Sequence, residues 1–263
     1  MPTLVDEQNA AEPADLLESP IHISRLKRIA LSAAHYRAGF TGEESYAMER
    51  GTATHTLVFE TGRIHAWPEG KQRRGKEYDA FVADHPRDQV LTYSEGQKAL
   101  AMAEAVRRCP EAMRLLDGQR ETLREWSIGK RACAGTPDVV GRDYVTELKT
   151  CATSHPDRFM WQAMKLGYHA QLAWYMDGLM LAGQAGVELG YIVAVESTAP
   201  FPVTVFQLTA RAIEQGRRMY RTWWERLMVC EETNEWPPYA QGVVALDVPD
   251  DDQELDFGDA EAA

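Results

Sequence analysis

The sequence predicts an α/β fold: a small mixed central sheet flanked by helices, with a helical N-terminal half. Three observations predict it. Residues 23–116 hold stretches with apolar residues at helical spacing. Between 122 and 150 the pattern changes to short β-rich runs separated by turns at Gly129–Lys130 and Gly141–Arg142–Asp143. Beyond 150, helical and β-rich stretches alternate, as they do where helices connect strands of one sheet.

The first helix is expected in "ISRLKRIALSAAHY" (23–36), with Ser24 as its N-cap. The second is "SYAMERGTATHTLVFE" (45–60), closing at Gly62. "EGKQRRGKEYDAFVADHP" (69–86) opens as a glycine-bounded basic loop and turns helical near Glu77. "SEGQKALAMAEAVRRCPEAMRLL" (94–116) is helical with a break at Pro110, whose ring interrupts helices. "TLREWSIG" (122–129), "RACAGTPDVVG" (131–141) and "YVTELKT" (144–150) then form an antiparallel meander. A long amphipathic helix spans about 157–182, followed by strands at 189–197 and 201–209 and a closing helix over 210–232. A strand, helix and strand in one sheet imply a right-handed crossover. "RRMYR" (217–221) is expected to face solvent beside the packing face of Trp223 and Trp224.

The chain has 263 residues, enough for a sizeable core, and shows neither an internal repeat nor a long linker between 21 and 240. That stretch reads as one domain. Its flanks read as flexible acidic tails, 1–20 with five acids and 241–263 with eight, neither carrying Lys or Arg. The net charge of −12 therefore belongs to the ends: without these thirteen acids, 27 acids face 28 bases. The body is free to carry a basic groove, and the C-terminal tail to compete for it or dock a partner. No run approaches the roughly 18 apolar residues of a membrane span. The first twenty residues lack the basic and apolar blocks of a signal peptide, so a cytoplasmic location, bacterial or in a phage-infected host, is expected. Cys109, Cys133, Cys151 and Cys230 form no close pair and read as reduced thiols.

The segment "GTPDVVGRDYVTELKTC" (135–151) places charge where a sheet prefers apolar residues. Glu147 and Lys149, two apart on a strand, share one face at roughly 7 Å, while Tyr144, Thr146 and Leu148 point the other way. With Asp138 they form a charged cluster that costs stability unless its members neutralise one another or hold a metal. Three further polar groups accompany it. His55 ends "GTATH" on a helix, and Gln171 and Tyr175 of "QLAWY" lie four apart on one helix face. Singly, each has an ordinary structural reading, such as a hydrogen-bonded histidine, a turn aspartate or a polar helix edge.

Together, "GTATH", "GTPD", "ELK" and "QLAWY" resemble the four motifs of the RecB-type branch of the PD-(D/E)XK nucleases. The flanking "ISRLKRIALSAAHY", "RGTATHTLVFE", "RRGKEYDAF", "GYHAQLAWYMDGL" and "WPPY" resemble RecE-type exonucleases and their phage relatives, across roughly 21–240. The resemblance implies a restriction-endonuclease-like core and a metal-dependent deoxyribonuclease. It implies a processive 5′ to 3′ exonuclease on double-stranded DNA ends, leaving 3′ single strands for a RecT-like annealing partner, and a homo-oligomeric ring. An endonuclease on branched or single-stranded DNA shares the chemistry, and a catalytically silent binding module shares the fold.

The resemblance places Mg²⁺, with Mn²⁺ as a substitute, on His55, Asp138, Glu147 and the Leu148 carbonyl. Lys149 would orient or deprotonate the attacking water, or stay charged and stabilise the transition state. Gln171 and Tyr175 would position the substrate or the lysine. Glu125 in "REWSI" matches an acidic position of the family and reads equally as an auxiliary group or an edge residue. Iron–sulfur members of the wider branch use clustered late cysteines. Only Cys230 lies late here, so no such cluster is expected. For DNA contact the candidates are Ser24, Lys27 and Arg28 in the first helix and Arg73, Arg74 and Lys76 in the basic loop.

Overall fold

Residues 19–39, 45–85 and 89–246 are described in the computed structural model; of the segments read as acidic tails, 1–20 and 241–263, all but 19–20 and 241–246 lie outside the described residues. The N-terminal helix expected over 23–36 is two helices. Strand β1 (Ile21–His22) runs into α1 (Ile23–Leu26), a 3-10 turn (Lys27–Ala30) and a separate α2 (Ala33–Ala38). Ser24 is not the cap. His22 occupies that position, and the capping hydroxyl is that of Ser32, which accepts from the His35 N–H and starts α2. Ser32 is extended at φ −163°, which interrupts the helix that residue spacing alone would continue.

Helix α3 (Tyr46–Phe59) starts on a Ser45 cap and ends on left-handed Glu60. Strands β2 (Ile64–Trp67) and β3 (Gln89–Thr92) pair in parallel around α4 (Lys76–Ala83). Helix α5 (Tyr93–Arg107) is capped by Thr92, and α6 (Pro110–Leu115) begins at the expected proline, which fits a first turn.

The expected meander divides between two sheets. Strands β4 (Gln119–Arg120), β5 (Arg124–Ile128), β6 (Arg131–Gly135), β7 (Val139–Val140) and β8 (Tyr144–Cys151) follow in order. One sheet has the order β1-β6-β5. The chain leaves it at Gly135, and β7 and β8 pair in the other. The long helix is also two, α7 (Pro156–Lys165) and α8 (Tyr168–Leu181), separated at Gly167 with φ +66°. Strands β9 (Leu189–Glu196) and β10 (Val203–Gln207) and helix α9 (Ala210–Thr233) complete the order. The main sheet runs β10-β9-β8-β7-β4; β8 and β9 are parallel, as the crossover requires, and the other pairs antiparallel.

Each face of this sheet is covered by its own core. Leu148, Val139, Val193 and Val195 pack with Val58, Phe59, Met102 and Val106 of α3 and α5. Val145, Cys151, Ile192 and Ala194 pack with Leu172, Ala173 and Met176 of α8 and with Leu227 of α9. "RRMYR" does not simply face solvent: Arg217 and the buried Tyr220 both bind Asp177 of α8, joining α9 to it. Among the described residues, no helix is long and apolar enough to cross a membrane.

Strand β7 is far shorter than its neighbour β8. Val139 of two-residue β7 pairs with Thr146, so from Glu147 onward the β7 side of β8 has, among the described residues, no strand beside it. The main chain there must find other partners.

Candidate active site

Side chains supply those partners. The Leu148 N–H donates to Asp138 Oδ2 at 2.7 Å, and His55 Nε2 lies 2.9 Å from the Leu148 carbonyl oxygen. Asp138 enters from the strand-to-strand connection after Gly135. His55 enters from α3, which approaches β8 closely at Gly51, where a β-carbon would lie 3.3 Å from Thr150 Oγ1. His55 Nδ1 is 3.7 Å from Asp138 Oδ1. The glycines of "GTATH" and "GTPD" thus act through close approach rather than chemistry.

On the α8 face of β8, Glu147 is buried and its carboxylate is held from three sides. Its Oε1 accepts from the Asp138 N–H at 3.1 Å; its Oε2 accepts from Lys149 Nζ at 2.7 Å and Gln171 Nε2 at 2.9 Å. The same Gln171 nitrogen lies 3.2 Å from the Tyr175 hydroxyl, and Gln171 Oε1 accepts from Lys27 Nζ at 3.2 Å. The Tyr168 ring lies 5.3 Å from Lys149 Nζ and 5.7 Å from Lys27 Nζ. Residues of all four motifs meet here.

Electrostatics separates these groups by protonation. Burial, reinforced by the neighbouring Glu147 charge, pushes the Asp138 carboxyl well above the usual range. Burial and the Lys149 charge lower His55 to about 4, so it is a neutral imidazole at physiological pH. Burial opposes the Lys149 charge, but Glu147 and Asp138 outweigh it and hold its pKa above the ordinary lysine value. Burial, with Glu147 beside it, also raises Tyr175, which stays a neutral hydroxyl.

The donor chemistry fits a hard divalent cation: two carboxylates, a neutral imidazole and a main-chain carbonyl. His55 Nε2 and the Leu148 oxygen now share a hydrogen at 2.9 Å, and a cation would take the place of that hydrogen. Burial first, and the Glu147 charge second, raise Asp138, and a cation there would favour its carboxylate form. Among the described residues, no three His, Cys, Asp or Glu side chains converge as a ready-made metal site. Glu147 is drawn instead to Lys149 and Gln171, and its remaining lone pairs are what a cation would recruit.

Other expected residues fall elsewhere. Glu125 is exposed on β5, and its charge acts on His22 on the far side of Ala134, not on the Asp138–Glu147 cluster. Besides Glu147, the acid whose charge reaches Asp138 is Glu121, whose N–H also donates to the Asp138 carbonyl. No motif marks it. Arg73 is committed internally. It binds both Glu49 oxygens at 3.1 and 2.8 Å, the Tyr78 hydroxyl and the Val90 carbonyl, and so anchors the loop. Arg74 and Lys76 are exposed, as is Ser24, while Arg28 is half-buried. Tyr168 was legible in principle, because Tyr168, Gln171 and Tyr175 share a helix face.

A family profile described as a PDDEXK-like domain of unknown function (DUF3799) matches residues 22–247. No curated protein matches the chain. Among solved structures it is similar to a protein of Eubacterium rectale provisionally named an exonuclease, with 13% identity and a TM-score of 0.66 over 94% of this chain and 97% of that one. It is also similar to a phage-related exonuclease of Haemophilus somnus, with 14% identity and a TM-score of 0.35 over 81% of this chain and 96% of that one. The first likeness is one of fold across the whole described body.

Proposed function

The chain belongs to the PDDEXK-like family, and from that premise we propose that it is a metal-dependent deoxyribonuclease. The specific reading is a processive 5′ to 3′ exonuclease on double-stranded DNA ends, leaving 3′ single strands for a single-strand annealing partner of the RecT kind. A ring of identical subunits around the duplex is part of this reading. The observation that carries the nuclease chemistry is the linked set at the unpaired edge of β8: Asp138 on the Leu148 N–H, His55 on its carbonyl, and Glu147 shared by Lys149 and Gln171.

His55, Asp138, Glu147 and the Leu148 carbonyl would hold Mg²⁺, or Mn²⁺, which also accepts imidazole. When bound, the cation supplies Lewis acidity at the phosphoryl oxygen and lowers the pKa of an attacking water. The protein's own groups do the positioning. Lys149, paired with Glu147, would stabilise the charge that develops on the phosphoryl oxygens or orient the attacking water. Neutral Tyr175 and the Gln171 amide keep the Glu147 carboxylate oriented. Exposed Ser24, Arg74 and Lys76, with Arg28, are the candidates for phosphate contact.

The test uses linear duplex labelled at either the 5′ or the 3′ end, and covalently closed circular DNA, each with Mg²⁺ and with EDTA. Early release of the 5′ label, an intact circle and silence in EDTA are expected. Early release of the 3′ label would reverse the polarity. A cut circle would make the protein an endonuclease, and binding without cleavage under Mg²⁺ or Mn²⁺ a silent module.

A further inference from the structure

Lys27 lies where its sequence neighbours do not predict. Ile21, Ile23, Leu26 and Ile29 are all buried around it and fix the short β1–α1 segment against the core. From the α1 to 3-10 junction the side chain runs inward over the break between α7 and α8. There its stem meets Gly167, where a β-carbon would lie 3.7 Å from Lys27 Cε. Beyond the stem, Nζ donates to Gln171 Oε1.

A glutamine amide is nearly symmetric in shape and opposite in polarity at its two ends. Either end of Gln171 could face Glu147. With nitrogen toward Glu147 the amide donates to a carboxylate; with oxygen toward it, two acceptors meet. Tyr175 does not decide the matter, since a hydroxyl donates or accepts equally well. A lysine ammonium only donates. We propose that Lys27 is a positioning residue that holds the Gln171 amide with its nitrogen on Glu147, and so sets the carboxylate between Lys149 and the Asp138 main chain. This inference rests on the nuclease reading for its catalytic consequence, but not for its structural content.

The placement of Lys27 is otherwise costly. It is a second ammonium on the Tyr168 ring that Lys149 also touches, and burial together with the Lys149 charge lowers it to about 8. A phosphate-binding lysine at the rim would need no bond to Gln171. One that orients Gln171 must come this close.

The experiment pairs Lys27→Met with Gln171→Leu, singly and together, in the full-length protein, with Lys27→Arg as the conservative variant. Two readouts are taken: steady-state cleavage of linear duplex, and the side-chain amide resonances of Gln171, identified by their loss in Gln171→Leu. Lys27→Met is expected to lower kcat roughly 10- to 100-fold, as outer partners of ligating groups do, with DNA affinity and its salt dependence unchanged. Lys27→Met should add nothing in the Gln171→Leu background, and Lys27→Arg should restore most of the rate. In Lys27→Met the Gln171 amide signals should move away from their wild-type position. A Lys27→Met effect that persists in Gln171→Leu, or a salt slope reduced by about one charge, would overturn the proposal and make Lys27 a direct phosphate contact. Unmoved amide signals would also overturn it. If the wild type cleaves no DNA while those signals still depend on Lys27, the nuclease reading fails and the positioning stands.

Discussion

Gly135 and Tyr175 are packed so closely that a β-carbon on residue 135 would fall 2.6 Å from the tyrosine ring. The glycine of "GTPD" therefore sets the height of the helix that carries Gln171. Gly135→Ala must push the ring, which is buried and tied to Gln171, out of register with Glu147. Overpacking of this kind costs about 1–3 kcal/mol, and each kcal/mol lowers Tm by about 2–4 °C in a protein of this size. Thermal unfolding should show that drop, together with a loss of cleavage larger than the fraction unfolded at the assay temperature explains.

Asp138→Asn should separate stability from chemistry. Burial and Glu147 raise the Asp138 pKa, so the carboxylate is a destabilising charge when no cation is present. Asparagine keeps an oxygen for the Leu148 N–H. In EDTA the variant is expected to melt higher than wild type by about 2–4 °C, corresponding to about 1 kcal/mol. Calorimetry with added Mg²⁺ should stabilise only the wild type.

His55 makes a pH-dependent contribution of defined sign. The unfolded chain takes a proton near 6.5, while folded His55 resists protonation to about 4. The folded-state value is depressed, so its stabilisation is complete above about 6.5 and is lost as pH falls through 4. Urea unfolding of metal-free protein should show wild-type stability falling relative to His55→Gln across that interval, by about 3 kcal/mol at most. Parallel profiles would remove the protonation difference assigned to His55.

The basic loop should divide by residue. Arg73→Ala breaks a bidentate pair with Glu49 and the contacts to Tyr78 and Val90, so it should lower Tm and loosen α4, seen as faster amide exchange there. Arg74→Ala touches none of these and should leave Tm unchanged. Its effect belongs to DNA affinity, with the salt slope reduced by about one charge.

Much of this was legible in the sequence, for reasons that differ by element. Strand alternation put Glu147 and Lys149 on one face, and helical spacing put Gln171 and Tyr175 on another, so the site's inner face was readable from periodicity alone. The break at Pro110 was readable because proline suits a first helical turn, whereas the caps at Ser45 and Thr92 were not singled out and Ser24, which was, caps nothing. The failures share a cause. At Ser32 and Gly167 a helical pattern continues across a break that one backbone conformation imposes, and apolar spacing does not record conformation. The jump from β6 to β7 between sheets follows from tertiary pairing across more than a hundred residues, β1 with β6 among it, which no local pattern carries. Lys27, read as a surface phosphate contact, turned inward because of that same pairing and that same break.

Whether the linked residues at the unpaired edge of β8 cleave DNA with a divalent cation has a direct measurement. It is release of acid-soluble nucleotides from a linear duplex by wild type, Asp138→Asn and Lys149→Met, each with Mg²⁺ and with EDTA. Lys149→Met leaves Glu147 buried without its cation, a change that costs about 3–5 kcal/mol, so circular dichroism must first show it folded. Release by the wild type alone, and only with Mg²⁺, is the predicted result. Comparable release by Asp138→Asn, or by wild type in EDTA, would contradict metal-dependent cleavage at this site.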